Sequence, residues 1–244
     1  MIPPLTNNSG ICLTEVMVAM AAGAVILSTT FHALTLFESK LTAQQDTISR
    51  HQDQRLGLHV LEEELRLAGT GLPIDSPAIS SLGAQEIAFT ANLDNLTTVL
   101  AEPASALQQE LIVLNGSNWN QGKHIVICSA DHCAEGILAR DGRQTSLSLT
   151  ASLGVAFPAG SEVFVSNRLR YYVSGTSGRK KNVMRQVDGG ANTIIGDVTH
   201  FQLDYFNKQG QPTSDAAFVS RVRIDLVVGH DRQGVVSEVG LRGR

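Results

Sequence analysis

The chain has 244 residues, a formal net charge of −4 and a pI near 6.0. A weakly acidic chain lacks the overall positive field that non-specific nucleic-acid binding needs. Its length allows one long helix and one globular domain of ordinary size.

The most distinctive stretch is an apolar run near the amino terminus. From Ile11 to Phe37 it contains no Asp, Lys, Arg or Pro, and its single formal charge is Glu15. At about 1.5 Å per residue, the run is roughly 40 Å long as a helix. That length crosses a hydrocarbon core of about 30 Å with some tilt. A carboxylate inside a membrane is costly, so Glu15 is predicted to have a specific function there.

The start of this run resembles the processing site of type IV pilins and pseudopilins. Gly10 is followed by the residues ICLTEVMVAMA. The resemblance implies that a prepilin peptidase cuts between Gly10 and Ile11 and methylates the new amino terminus of Ile11. Glu15 then matches the glutamate at the fifth mature position of the family. On assembly its carboxylate is expected to pair with the Ile11 α-amine of a neighbouring subunit and to set the axial register.

The expected organisation has four parts. Residues 1–10 form a leader, 11–37 a transmembrane helix, 38–68 an amphipathic continuation of that helix, and 69–244 a β-rich periplasmic or extracellular domain. Within the continuation, apolar residues recur mostly at spacings of three or four, which favours one stripe packed on the domain. The stripe consists of Ile48, Leu58, Leu61, Leu65 and Ala68.

The end of the helix carries an acidic run and a second resemblance. Glu62, Glu63 and Glu64 are predicted to form a solvated face, with an acidic contact patch for a partner as the alternative. The residues from Glu64 to Gly69, ELRLAG, are similar to a motif of PilW-type minor pilins. J-type pseudopilins of type II secretion have a similar passage. The later segments RLRYYV, VMRQV and VTHFQLDYF also follow the order found in PilW-type proteins.

After residue 74 the apolar pattern changes to period two, with turn residues between the segments. Phe201, Leu203 and Tyr205 alternate with polar residues, which predicts a strand with one buried and one wet face. The expected fold class is α+β, with a long pilin-like N-terminal helix packed on an antiparallel β-sheet domain. The predicted strands are 85–91, 110–115, 123–128, 136–140, 144–150, 162–173, 182–187, 198–206, 217–229 and 235–241.

Two cysteines lie in the segment CSADHC. Cys128 and Cys133 are predicted to form a disulfide across a short loop if the domain is in an oxidising compartment. Free thiols are one alternative, and a metal site completed by Asp131 and His132 is the other. The remaining cysteine, Cys12, is expected to behave as a small apolar residue in the membrane run.

No catalytic site is predicted. The seven histidines are scattered, and no nucleophile or phosphate-binding motif is present, so neither a metal nor a cofactor is expected. One basic cluster is predicted to be a solvated hairpin tip, with phosphate contact as the alternative. Its members are Arg168, Arg170, Arg179, Lys180, Lys181 and Arg185.

These resemblances imply a minor pilin of a type IV pilus system. Such a protein would be a single-pass inner-membrane protein before assembly and would lie at the cell surface in the pilus afterwards. Its partners would be other major and minor pilins, a prepilin peptidase and a tip adhesin, and nucleic acid is not expected among them. A J-type minor pseudopilin and a single-span membrane-anchored periplasmic domain are the alternatives.

Overall fold

The computed structural model describes residues 12–70, 72, 78–175, 181–229 and 234–241. The chain divides into two compact units after His51. The first unit contains the N-terminal part of helix α1 (Leu13–Arg66), and the second contains the rest of that helix together with every described strand. The α+β class is therefore confirmed, with one long helix and a mostly antiparallel sheet domain.

The strands of the second unit follow the helix in chain order, with one 3₁₀ turn at Ala216–Phe218. They are β1 (Ile79–Gly83), β2 (Glu86–Ala91), β3 (Thr97–Val99), β4 (Glu110–Ile112), β5 (His124–Cys128), β6 (Cys133–Ile137), β7 (Ser146–Ser148), β8 (Glu162–Val165), β9 (Asn167–Ser174), β10 (Lys181–Val187), β11 (Gly190–Phe206), β12 (Arg221–Val228) and β13 (Val235–Gly240).

Seven strands form the main sheet, in the order β1-β2-β9-β10-β11-β12-β13, with every neighbouring pair antiparallel. The long strand β11 pairs with β10 through its first half and with β12 through its second. The register shifts between Val198 and His200, where the pairing of β11 changes from β10 to β12. This irregularity lets the sheet curl, because a bulge bends its strand and increases the local twist.

The sheet curls far enough that the β1–β2 turn meets the second half of β11. The Leu203 amide donates to the Ala84 carbonyl at 2.8 Å. The single hydrogen of the Tyr205 hydroxyl is shared between the carbonyls of Gly83 and Glu86, at 2.7 and 3.0 Å. These bonds satisfy backbone groups at the turn and hold the curled sheet around a single core.

The last turns of α1 supply one wall of that core. Leu58, Leu61, Leu65 and Ala68 are buried against the main sheet, as their spacing predicts. Ile48, which belongs to the same predicted stripe, is 57% exposed. The helix ends at Arg66, slightly before the predicted boundary at Ala68.

Gly57 marks a close approach of the helix to strand β11. A Cβ atom at this position would lie 2.6 Å from the Ile194 carbonyl oxygen and 2.4 Å from the Ile195 Cγ1 atom. Glycine is usually unfavourable inside a helix. Here its missing side chain makes room for the backbone of the neighbouring strand.

Residues 92–166 form an inserted lobe with a core of its own. The lobe leaves the main sheet after β2 and returns at β9, and those two strands pair directly with each other. It contains a four-stranded sheet, β3-β8-β5-β6, and the two-stranded ribbon β4-β7. Its core surrounds Trp119 and contains no residue of α1. One β-rich domain was expected over 69–244, and the structure divides its apolar residues between two separate cores.

One buried polar side chain, Asn167, joins the lobe to the main sheet. The Asn167 side chain is 1% exposed; its oxygen accepts from the Leu93 amide at 3.1 Å, and its nitrogen donates to Asp188 at 2.9 Å. Asp188 also accepts from the Arg168 amide at 2.8 Å. The Asn167 amide would be costly to bury unpaired, so its bonds fix how the lobe leaves the sheet.

Most predicted strands are present with shifted ends. The predicted strand 162–173 is two strands, β8 and β9, which belong to different sheets and are separated at Ser166. Strand β11 begins at Gly190 rather than at 198, and β1 and β3 were not predicted. Continuous apolar alternation cannot reveal that a chain passes from one sheet to another, because the period is unchanged.

Candidate functional site

The apolar segment of α1 is exposed along its length. Its large side chains include Met17, Ile26, Phe31 and Phe37, all of which face open space. Among the described residues, α1 is the one helix long and apolar enough to cross a membrane, by length and composition. An exposed apolar surface of this extent needs lipid or protein around it.

Several hydroxyl groups along this part of α1 bond to carbonyls of the same helix. Thr30 donates to the Ile26 carbonyl at 2.8 Å, and Thr35 donates to the His32 carbonyl at 2.9 Å. Thr29, Ser39 and Thr42 make the same kind of bond to carbonyls three or four residues earlier. Such bonds reduce the cost of placing a hydroxyl in an apolar medium.

Glu15 lies in the first turn of α1. A negative charge at this end is favoured by the helix dipole. Its side chain is exposed, and its carboxylate has no basic partner within the described ranges. The predicted cleavage site, Gly10 and Ile11, lies outside the described residues. The structure therefore places the acid at the start of an exposed apolar helix and does not describe its predicted partner.

Glu64 anchors the other end of the helix in the sheet. The side chain of Glu64 accepts hydrogen bonds from the Tyr171 hydroxyl on β9 and from the Arg185 guanidinium on β10. Glu64 is 9% exposed and Tyr171 is fully buried. The prediction of a solvated glutamate face is therefore wrong for Glu64. It is a buried carboxylate held by two strands that follow it by more than a hundred residues.

The same contacts shift the pKa values of both partners. The hydrogen bond from Arg185 to Glu64 raises the pKa of the guanidinium further above its usual range. Burial, together with the negative charge of Glu64, raises the pKa of the Tyr171 hydroxyl. Tyr171 thus remains a neutral donor and Arg185 a cation under all ordinary conditions, as a buried carboxylate requires.

The other two glutamates of the run have different surroundings. Glu62 accepts a hydrogen bond of 2.6 Å from the Ser237 hydroxyl on β13 and is half-buried. Glu63 is exposed and pairs with Arg66 one turn later. Glu63 alone matches the predicted solvated face, because only its direction on the helix points away from the sheet.

The predicted disulfide between Cys128 and Cys133 is present, and it joins directly opposed residues of β5 and β6. No group of three or more metal-ligating side chains occurs among the described residues. His132 instead lies over Phe157, with ring centroids 4.7 Å apart, and its Nε2 atom is 3.0 Å from the Ala156 carbonyl. The two cysteines are therefore neither free thiols nor metal ligands. They cross-link a hairpin that packs on the 153–160 loop.

The three described arginines of the basic cluster belong to separate ion pairs. Arg168 pairs with Glu135 at 3.1 Å, and Arg170 forms two bonds of 2.8 Å to Glu86. Arg185 is bonded to the buried helix carboxylate described above. Arg170 also lies over the Tyr172 ring at 4.6 Å. Arg179 and Lys180 lie outside the described residues. Each of the three described arginines is therefore paired with a carboxylate, and the three do not form one cationic face.

Sequence reasoning did not identify Tyr171, Arg185 or Asn167 as positioning residues. The sequence placed Tyr171 and Arg185 on two successive predicted strands, but it gave no signal that pairs them with Glu64. No family model, curated protein or solved structure matches the chain.

Proposed function

We propose that this chain is a minor pilin of a type IV pilus system, incorporated through its N-terminal helix and helping to initiate the filament and form its tip. The observation that carries the proposal is Glu15, alone at the start of an exposed apolar helix and five residues after Gly10. An unpaired carboxylate at that position is costly in a membrane and needs a cation from elsewhere.

Cleavage after Gly10 would create such a cation at Ile11. In a filament, the Ile11 α-amine of one subunit would meet the Glu15 carboxylate of its neighbour in an apolar environment. The two charges satisfy each other only at one axial offset, so the pair would select a register as well as stabilise the contact. The exposed apolar side chains between Val16 and Phe37 would then pack on the helices of other pilins.

The Glu64 anchor supports a mechanical role. A filament transmits load along its helices, and each globular domain must remain attached to its own helix. The buried bonds from Tyr171 and Arg185 to Glu64 fasten the helix end to two adjacent strands. Loss of one partner would leave a buried charge without compensation, so the attachment resists partial opening.

The decisive experiment is intact-mass and N-terminal analysis of the protein purified from membranes of its own host. The proposal expects a chain that begins at N-methylated Ile11. An intact Met1 start, in a host with an active prepilin peptidase, would refute processing at Gly10 and favour a membrane-anchored periplasmic domain.

A substitution then tests the assembly role. The Glu15→Ala variant should still enter the membrane and be cleaved, but it should no longer co-purify with other pilins. Thr14→Ala is the matched control, because it removes a neighbouring polar group and leaves the charge in place. Normal piliation and normal co-purification of Glu15→Ala would contradict the proposal.

One sequence feature also supports a second function, that of a minor pseudopilin in a type II secretion system. The residues from Glu64 to Gly69 are similar to passages in both PilW-type minor pilins and J-type pseudopilins of type II secretion. A deletion strain separates the two. Loss of piliation or twitching with normal secretion supports the pilus, and the reverse result supports the secretion system.

A further inference from the structure

The net charge of the chain resides in the inserted lobe. Residues 92–166 contain seven acidic and three basic side chains, a net charge of −4, which equals the formal charge of the whole protein. The main sheet does not need the lobe in order to close, because β2 and β9 pair directly at its root. The lobe is thus an acidic module with its own core, carried on a sheet that is complete without it.

Some acids of the lobe are neutralised locally and others are not. Asp94 pairs with Lys123 at 2.5 Å, and Glu110 pairs with Arg140 at 3.0 Å. Glu162 is exposed and has no basic partner within the described part of the chain. Glu162 lines two grooves on the surface of the lobe.

The two grooves adjoin at Glu162. One has a volume of about 390 Å³ and is lined by Thr97, Val99 and Leu114, among others. The second has a volume of about 350 Å³ and is lined by the disulfide hairpin and the loop around Pro158. Leu114 is 67% exposed beside the first groove. The apolar Leu114 and the unpaired Glu162 carboxylate therefore both line the first groove, and Glu162 also lines the second.

This combination determines the kind of ligand that fits. The grooves are open along their length, whereas small-molecule sites usually enclose their ligand. A single carboxylate cannot hold a divalent cation, and the described residues contain no group of three metal-ligating side chains. An extended peptide can follow an open groove, cover Leu114 with an apolar side chain and place a cation against Glu162.

The geometry points to a peptide-docking groove on the inserted lobe, whose ligand is an extended segment of a partner protein with a Lys or Arg at Glu162 and an apolar residue at Leu114. The disulfide keeps one wall of the groove in place, because it closes the hairpin that contributes Cys128 and Ala130 to the lining. The inference concerns the lobe alone and does not depend on assembly of the helix into a filament.

The test uses the full chain in detergent micelles as the target for a phage-displayed library of random dodecapeptides. The enriched peptides are synthesised with a fluorophore, and their affinities are measured by fluorescence anisotropy. The enriched sequences should carry a Lys or Arg close to an apolar residue. Their binding should weaken about three- to tenfold in Glu162→Gln, and it should weaken further as the salt concentration rises.

Matched controls separate the groove from the general charge of the lobe. Glu102→Gln removes the same charge from the same lobe at an exposed carboxylate outside both grooves. Leu107→Ser removes an 86% exposed leucine that lines neither groove, whereas Leu114→Ser removes one that does. The two controls, Glu102→Gln and Leu107→Ser, should leave the affinity for the peptides unchanged. The fluorescence emission of the buried Trp119 should show that each variant is folded.

Three results would overturn the inference. They are no enrichment above empty micelles, enriched peptides without a cation, and equal weakening by Glu162→Gln and Glu102→Gln. Because none of these results involves the N-terminal helix, failure of this test would leave the proposed assembly function standing.

Discussion

Replacement of Glu64 by alanine tests the anchor between helix and sheet. The change removes the carboxylate that accepts from Tyr171, which is fully buried, and from Arg185, whose side chain is 24% exposed. Breaking a fully buried ion pair costs about 3–5 kcal/mol. Leaving a buried hydroxyl without an acceptor costs about 1–3 kcal/mol. Since Arg185 can turn partly towards solvent, the free energy of unfolding should fall by about 2–4 kcal/mol.

The assay is urea unfolding of the full chain in detergent, with hydrogen exchange of the amides at 58–66 and 183–187 as a local readout. Exchange should accelerate in both segments together, because the anchor joins them. Glu63→Ala is the matched control, since the Glu63 side chain is 51% exposed and pairs with Arg66 on its own helix. It should change stability by about 0.5 kcal/mol or less. If Glu64→Ala were as mild as Glu63→Ala, the anchor would have no energetic role.

Three further predictions follow from single features. Burial raises the pKa of Tyr171, so its stabilising contribution is complete below about pH 10 and is lost as pH rises above that value. A pH series of urea melts should therefore show a smaller alkaline loss in Tyr171→Phe than in the wild type. Replacing both Cys128 and Cys133 by serine should lower lobe stability by about 2 kcal/mol, read from the fluorescence of Trp119, and an unchanged midpoint would contradict a structural role. Gly57→Ala should destabilise the protein by about 1–3 kcal/mol through its clash with β11; thermal melts showing stabilisation would instead favour helix propensity.

An acid-sensitive contact is also present on the outer face of the main sheet. The hydrogen bonds from Arg170 lower the pKa of the Glu86 carboxylate. A lowered pKa in the folded state stabilises the protein at pH values above the pKa of the unfolded state, which is about 4.3. That stabilisation is lost as the pH falls through the pKa of the folded state. The pair is half-exposed, so this contribution is small compared with that of the buried Glu64 anchor.

The glutamate run shows where local pattern is insufficient. Three consecutive acids near a helix end predict a solvated face, since buried carboxylates are rare. Their directions on the helix differ, and the structure gives them three different environments. Glu64 can be buried because it is paired with Tyr171 and Arg185, which lie 107 and 121 residues later in the chain. No local signal in the helix announces those partners.

The inserted lobe illustrates the same limit at the level of topology. The strands of both sheets alternate with the same period, so the sequence predicted one β-rich region. The division became visible only through pairing, with β2 next to β9 and β3 next to β8. The predicted strand 162–173 crosses that division, and the buried Asn167 lies where the chain returns to the main sheet.

By itself, the sequence determined the features that depend on neighbouring residues. These are the apolar helix with Glu15 at its start, the buried stripe from Leu58 to Ala68, and the alternation of strands such as β12. Tertiary structure decided the features that depend on distant partners, namely the burial of Glu64, the curl of the main sheet, the separate lobe and its groove at Glu162. The physical reason is that periodicity and propensity act within a few residues, whereas the cost of burying a charge depends on which groups the fold brings to it.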